Sequence, residues 1–284
     1  MSARTVTQLI TAQPTSDGAG VRLFRTIGSQ ALDSVDPFLL LDEFKSEQKT
    51  DYIAGFPDHP HRGFETVTYM LAGSMRHKDH KGNEGNLVAG SVQWMTAGRG
   101  IIHSEMPEQD NGLMWGFQLW VNLPAAEKMT APRYQDIPPE SVPETTLADG
   151  TNIRVIAGES AGLRGAVRGI VTAPLYLDVS IPSRTTCTLP VQPGHAALCY
   201  VFVGRGRFGV TGTNLGQLVA AQQLAVLSDG EELTVRAEED AVRFLLLAGK
   251  PLREPIVRYG PFVMNTREEI AQAFEDFRKG TFLQ

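Results

Sequence analysis

The sequence predicts an all-β protein of two related domains, closed by a single C-terminal helix. Three observations carry that prediction. Leu113, Trp115, Phe117, Leu119 and Val121 alternate strictly with Met114, Gly116, Gln118, Trp120 and Asn122. Successive strand side chains point to opposite faces, so this is a long strand with one apolar face. The two halves of the chain also match at a fixed offset, 200 − 69 = 131, which lays Tyr69 on Tyr200 and Gly73 on Gly204. The same offset lays Asn83, Gly85, Leu87, Val88 and Ala89 on Asn214, Gly216, Leu218, Val219 and Ala220, as a duplicated β-domain requires. Finally, Thr266 and Glu269 form a capping box ahead of Ile270, Ala273, Phe274 and Phe277 at helical spacing. Arg278, Lys279 and Gly280 supply the stop.

In chain order, residues 21–24 predict a short strand and 30–33 a polar turn. Phe38-Leu39-Leu40-Leu41 reads as a short buried run. The Asp42-Glu43 pair after it is expected in a solvated loop, continued by a polar loop at 45–51. A turn at Arg62-Gly63 introduces a strand over 64–71 that ends at Gly73. His77 and His80 are expected in a charged, solvated loop over 76–86. A strand over 87–96 bends at Gly90, and Gly98-Arg99-Gly100 makes the next turn. Residues 128–150, broken by Pro132, Pro138, Pro139 and Pro143, connect the domains, which are expected at 1–135 and 136–284. Strands resume at 175–181, 198–203, 207–211, 223–227, 232–236 and 242–247. The C-terminal helix is expected to lay its Phe face over the outside of the β-structure.

Composition narrows the function. The formal net charge is −6 with no run of five Lys or Arg, which argues against a nucleic-acid surface. Cys187 and Cys199 are the only cysteines, too few for a disulfide framework, and read as reduced thiols of an intracellular protein. No apolar signal core opens the chain and no apolar run reaches membrane-span length. The expected location is cytoplasmic, or also nuclear if the source is eukaryotic, and the expected state is monomeric.

Chemistry is concentrated in two stretches, Asp58-His59-Pro60-His61-Arg62-Gly63-Phe64-Glu65 and Gly98-Arg99-Gly100-Ile101-Ile102-His103-Ser104-Glu105. Residues two apart on a strand share a face, so His59 points with His61 and His103 with Glu105. Neighbouring strands would aim three imidazoles and one carboxylate at a common point, a set that suits one divalent first-row metal with positions left open. At the offset of 131, His59 meets Pro190, His61 meets Gln192, Glu65 meets Ala196, His103 meets Thr234 and Glu105 meets Arg236. His195 falls opposite Phe64 without a partner at ligand spacing. The second half is therefore expected to keep the fold and lack the metal.

The fuller text of these stretches, 56–67 and 93–107, together with Gln118-Leu119-Trp120-Val121-Asn122-Leu123 and Gly260-Pro261-Phe262-Val263-Met264-Asn265-Thr266, resembles the pirin family of the cupin superfamily. The resemblance implies a bicupin: two stacked antiparallel β-barrels, each a double-stranded β-helix or jelly roll, with one metal in the N-terminal barrel. It implies His59, His61, His103 and Glu105 as ligands. Glu65, a ligand at the corresponding place in many cupins, is expected instead to orient a ligand histidine through its far ring nitrogen. Fe(II) is the favoured ion, and Mn, Co, Ni, Cu and Zn accept the same donors.

Some pirins are similar to quercetin 2,3-dioxygenases, which open the central ring of a flavonol with O2 and release carbon monoxide. On that reading the metal polarises the flavonol 3-oxygen, Glu105 takes its proton as general base, and Phe56, Trp94, Met114 and Trp120 wall the pocket. The resemblance also implies an alternative, a metal-dependent, redox-responsive regulator that binds a transcription factor or a metabolic enzyme through the surface around Arg62 and Arg99. A third reading is a metal-stabilised barrel whose substrate is not a flavonoid.

Overall fold

The computed structural model describes residues 2–109 and 111–284. The chain divides into two compact units. One comprises Pro14–Gly28, Pro37–Pro139 and Leu252–Gln284, and carries the histidine pairs. The other comprises the N-terminal residues through Gln13, Ser29–Asp36 and Glu140–Pro251. The middle division falls between Pro139 and Glu140, and each unit also takes segments from elsewhere in the chain. Val6–Thr11 pairs with Gln223–Leu227 and completes an edge of the second unit, whereas the C-terminal helix belongs to the first.

Each unit pairs a seven-stranded antiparallel sheet with a four-stranded one. In the histidine-bearing unit the large sheet runs Arg133–Ile137, Val92–Thr96, Phe64–Ala72, Met114–Asn122, Phe38–Ser46, Val21–Arg25, Gln13–Asp17. The small one runs Phe56–His61, Ile101–Pro107, Ser74–Asp79, Glu84–Val88. In the sister unit the large sheet runs Val6–Thr11, Gln223–Leu227, Ala196–Val203, Val242–Gly249, Leu175–Ile181, Asn152–Ala157, Glu144–Thr146. Its small sheet runs Thr186–Pro190, Glu232–Ala237, Arg205–Phe208, Gln217–Ala220. The two topologies match for ten of the eleven strands, as the repeat predicts. They differ at the first edge of the large sheet, where Arg133–Ile137 comes last in chain order among its unit's eleven strands and Val6–Thr11 first among the other's. The barrels expected from the resemblance are met at the level of two facing sheets per unit. Among the described residues no ladder joins a small sheet to a large one.

The interiors differ. The sister unit packs one apolar cluster from both sheets, including Val155, Leu177, Cys199, Ala225, Phe244 and Leu246. The histidine-bearing unit buries His61, His77, His103, Glu105, Thr68, Asp42 and Asp79 instead. Asp42, with the adjacent Glu43, and His77 overturn expectations. Asp42 and Glu43 lie within the strand Phe38–Ser46, buried on its two faces, because the strand continues five residues past the apolar run that ends at Leu41. Arg25 closes on Asp42 through Nε at 2.8 Å and an Nη at 2.7 Å, and Trp115 Nε1 donates to Glu43 at 2.7 Å. His77 sits in Ser74–Asp79, where Met75, His77 and Asp79 face inward while Arg76 and Lys78 face out.

The helix Arg267–Lys279 has the capping box in full, with Gly280 left-handed after it. Its buried face is Ile270 and Ala273. Phe274 and Phe277, expected to be covered, remain at the rim, edge-on to Phe262 and Phe282 respectively. Among the described residues no helix is long and apolar enough to cross a membrane.

Lys128 is 1 % exposed, and its Nζ donates to Gly63 O at 2.7 Å, Asn122 Oδ1 at 2.8 Å and Val263 O at 3.0 Å. Three acceptors match the three protons of an ammonium. Burial nevertheless lowers Lys128 to about 8, below the ordinary lysine value expected in the unfolded chain. Between those two values the unfolded chain binds the extra proton, so folding stability rises with pH in that window. We expect urea denaturation of wild type and Lys128→Met to diverge in favour of wild type by about 2 kcal/mol between pH 7.5 and 10. A difference independent of pH would show that the lysine is not perturbed by folding.

Candidate metal centre

Strand register assembles the site. Phe56–His61 and Ile101–Pro107 pair antiparallel with His59 opposite His103 and His61 opposite Ile101. A register shift after His103 sets Glu105 against Phe56, while on the other side Asp79 lies opposite His103 and His77 opposite Glu105. His103 and Glu105 alternate with half-buried residues on one inward face, as the spacing predicts.

One ring nitrogen from each of His59, His61 and His103 lies within 4.8 Å of the others. His59 Nε2 and His61 Nε2 are 3.0 Å apart. That separation is the edge of an octahedron whose metal–nitrogen bonds are about 2.1 Å. Both ring nitrogens of His103 are buried without a hydrogen-bond partner, a costly state for a polar atom unless something else occupies it. Burial, reinforced by the neighbouring imidazoles, holds His61 and His103 well below the usual histidine range, so both are neutral, the form that binds metal. His59 Nδ1 lies 2.8 Å from Pro57 O, which fixes the tautomer with Nε2 turned toward the cluster. His61 meets Phe64 and Trp120 edge-on, at 5.0 and 5.2 Å between ring centres. The triad can hold a metal ion.

Glu105 is buried and borders the same cavity, although it is not one of the three groups that cluster so closely. Thr68 Oγ1 donates to its Oε1 at 2.8 Å, across from the large sheet, and lies 2.9 Å from Gln118 Oε1. Glu65 is placed differently from expectation. It is three residues from Thr68 on the same strand and hence on the opposite face. Its Oε1 accepts from Thr96 Oγ1 at 2.6 Å, and no imidazole is bonded to it. Burial pushes Glu65 up to about 7, against the Thr96 hydroxyl and the Trp94 indole. It therefore does not orient a ligand histidine.

A cavity of about 530 Å³ opens on the cluster, within the usual range for small-molecule sites. Phe56 and Trp120 line it, with Leu40 and Phe44. Gly116 makes room for this wall, since a Cβ there would fall 2.5 Å from the Phe44 ring. Trp94 and Met114 lie elsewhere. Trp94 shares the Glu65 face, opposite Val67, and Met114 packs with Val21, Leu23, Met70 and Met75. Arg258, its guanidinium 4.6 Å from the Trp120 ring centre, borders the cavity together with Gly260 and Pro261. Of the two arginines expected to mark a regulator's surface, Arg99 is half-buried and Arg62 is not at the surface. Arg62 is 4 % exposed, paired with Asp276 at 2.6 Å and bonded to the carbonyls of Arg99 and Phe282. His80 is exposed, as expected.

The sister unit shows the same place without the site. Its Phe208 stands opposite Val235 as His77 stands opposite Glu105, and its Leu189 stands opposite Leu233 as His59 stands opposite His103. Leu189, Leu233 and Val235 all belong to its apolar core. The uniform offset slips on these strands, so the structural counterparts of His59, His103 and Glu105 are Leu189, Leu233 and Val235 rather than Pro190, Thr234 and Arg236. Thr188 and Thr234, whose hydroxyls lie 2.9 Å apart, sit on the other face of the same strands.

Facing antiparallel sheets in duplicate, with a histidine triad inside one unit, define a cupin-type two-domain protein with one candidate metal centre. The sequence matches the Pirin family over residues 20–121 and the Pirin C-terminal cupin domain over residues 176–283. The chain belongs to the pirin family. It is 53 % identical over 281 residues to a Pseudomonas aeruginosa protein named "Putative quercetin 2,3-dioxygenase", covering 98 % of this chain and 97 % of that one. The crystal structure of a quercetin 2,3-dioxygenase from Acinetobacter baumannii superposes with a TM-score of 0.90 at 36 % identity over the full length of both chains. An Escherichia coli pirin in complex with nickel(II) shares the fold, with a TM-score of 0.66 at 19 % identity over 86 % of this chain and 98 % of that one.

We expect His61→Ala to lose stoichiometric metal, read by elemental analysis after dialysis, while its circular dichroism stays that of a β-protein, because neither core is built on the imidazole. Full metal occupancy in that variant would remove His61 from the ligand set.

Proposed function

We propose that this chain is a mononuclear metal-dependent dioxygenase that opens the ring of a flavonol or a closely related aromatic with O2. The observation that carries the reading is the juxtaposition of three clustered imidazoles, two of them held neutral by burial, with a cavity of about 530 Å³ bordered by Phe56, Trp120 and Glu105. The names of the P. aeruginosa and A. baumannii relatives support it. His59, His61, His103 and Glu105 are the proposed ligands of one divalent ion, Fe(II) by preference, with Mn, Co, Ni, Cu or Zn able to use the same donors. Bound there, the ion would supply Lewis acidity to an oxygen of the substrate.

The rest of the work falls to the chain. Trp120 and Phe56 offer flat apolar surface to an aromatic ring and displace water from it. Glu105 is the proposed general base for the substrate 3-hydroxyl. Thr68 holds its Oε1, which fixes the carboxylate plane and leaves Oε2 to act. The proton taken by Glu105 stays in a buried pocket, beside the Thr68–Gln118 hydrogen-bond chain.

The test is loss of flavonol absorbance by metal-loaded protein, under air and under argon. We expect oxygen-dependent loss in wild type and a decrease of roughly 100- to 10,000-fold in Glu105→Gln at equal metal content. Glu65→Gln should keep the wild-type rate, because Glu65 faces away from the cavity. No turnover by wild type with any of the six metals would remove the enzyme reading. A larger loss in Glu65→Gln than in Glu105→Gln would reverse the assignment of the two carboxylates.

A further inference from the structure

A row of polar side chains crosses the large sheet of the histidine-bearing unit, one residue per strand and each in register with the next. Arg25 stands opposite Asp42, Asp42 opposite Gln118, Gln118 opposite Thr68 and Thr68 opposite Gln93. Asp42 and Gln118 border the cavity, as does Glu105, which Thr68 holds. The corresponding row in the sister unit is Val155, Leu177, Leu246, Cys199 and Ala225, linked by the same pairings. All five belong to its apolar core. The sheet thus closes with no polar residue in this row. An ion pair and two amides there cost desolvation that the fold does not require, so they are retained for something the cavity does.

We infer that Asp42 and Gln118 form a hydroxyl-binding floor, and that the substrate is a flat aromatic with a ring hydroxyl remote from its metal-chelating end. This rests on the dioxygenase reading above. The valences on the page support two acceptors. Arg25 takes one position on each Asp42 oxygen, and a carboxylate offers about four. Thr68 has one hydroxyl proton, which goes to Glu105, an acceptor only. The Gln118 amide therefore meets Thr68 with its NH2 and keeps its carbonyl for the cavity, the amide orientation being set by this network. Two acceptors beside an apolar wall select a donor on an otherwise flat apolar body, which describes a phenolic hydroxyl. A site built to accept a hydrogen bond discriminates strongly against a ligand that lacks the donor.

The test compares two ligands on metal-loaded protein under argon, where turnover cannot occur, by quenching of tryptophan fluorescence. One is 3-hydroxyflavone, which has no other hydroxyl, and the other is quercetin, which has ring hydroxyls on both ends. Wild type should prefer quercetin. Asp42→Asn and Gln118→Met should each narrow that preference, by about tenfold for the charged acceptor and less for the amide. Should Asp42→Asn fail to fold with Arg25 left unpaired, Gln118→Met decides alone. A preference equal to wild type in the folded variants overturns the floor and leaves the dioxygenase reading standing. Binding of neither ligand by wild type overturns both.

Discussion

The pairing of His59 with His103 across two antiparallel strands is the constraint on which the rest depends. A shift of one residue in that register would turn every side chain of one strand to the other face. If the His59 strand slipped, His59 and His61 would leave the cluster together; if the His103 strand slipped, Ile102 or Ser104 would take the place of His103. The register is protected from both sides. Ile101 is fully buried in its own apolar cluster with Met95 and Ala97, and Asp79 and His77 lock the far edge of the same strand. The metal centre is therefore a consequence of which hydrophobic residues are buried next to it.

One architecture has been given two interiors. In the sister unit the residues that match the polar row and the site are apolar, and the place of the paired histidines is taken by Leu189 and Leu233. In the histidine-bearing unit the same strand order carries a buried ion pair, a buried imidazole with no hydrogen-bond partner and two buried carboxylates, Asp42 and Glu105, bordering one cavity. The comparison separates what the fold needs from what it carries. Tyr69 and Tyr200, or Phe117 and Leu245, occupy matching buried positions in both units and belong to the frame. The imidazoles, Asp42, Gln118 and Thr68 have no polar counterpart and belong to the site.

Much of this was legible in the sequence because it has period two or depends on local caps. The H-x-H and H-x-E pairs fall on one face by strand geometry alone, and the capping box at Thr266 and Glu269 needs only four residues. What was missed required knowledge of the facing partner. Glu65 resembles a site residue by proximity to His61, but the turn at Gly63 separates their strands, and parity then places Glu65 away from the cavity. Asp42 looked solvated because the residue that neutralises it, Arg25, meets it only through pairing of two strands. His77 looked like part of a charged loop because Arg76 and Lys78 flank it. The alternation of Met75, His77 and Asp79 was the available signal. Trp94 was adjacent to the correct face and one residue out of step with it.

The two motifs farthest apart in the sequence turn out to be one contact. Arg62 lies between the ligand strand and the turn at Gly63, and its backbone bridges the segment around Phe262, with Val263 N donating to Arg62 O at 3.1 Å. Gly63 has φ +89°, and a Cβ there would fall 2.0 Å from Val263 O, so only glycine allows the C-terminal segment to come this close. The Arg62 side chain, pointing away from its neighbour His61, is held by Asp276 of the helix and stacked 4.4 Å from the Phe282 ring centre. Lys128 ties Gly63 O and Val263 O together from the other side. The same C-terminal stretch then continues to the cavity, where Arg258, Gly260 and Pro261 form part of its border. The helix at the end of the chain therefore fixes the end of the ligand strand and one wall of the site at once, which places it in the histidine-bearing unit although it follows the sister unit in sequence.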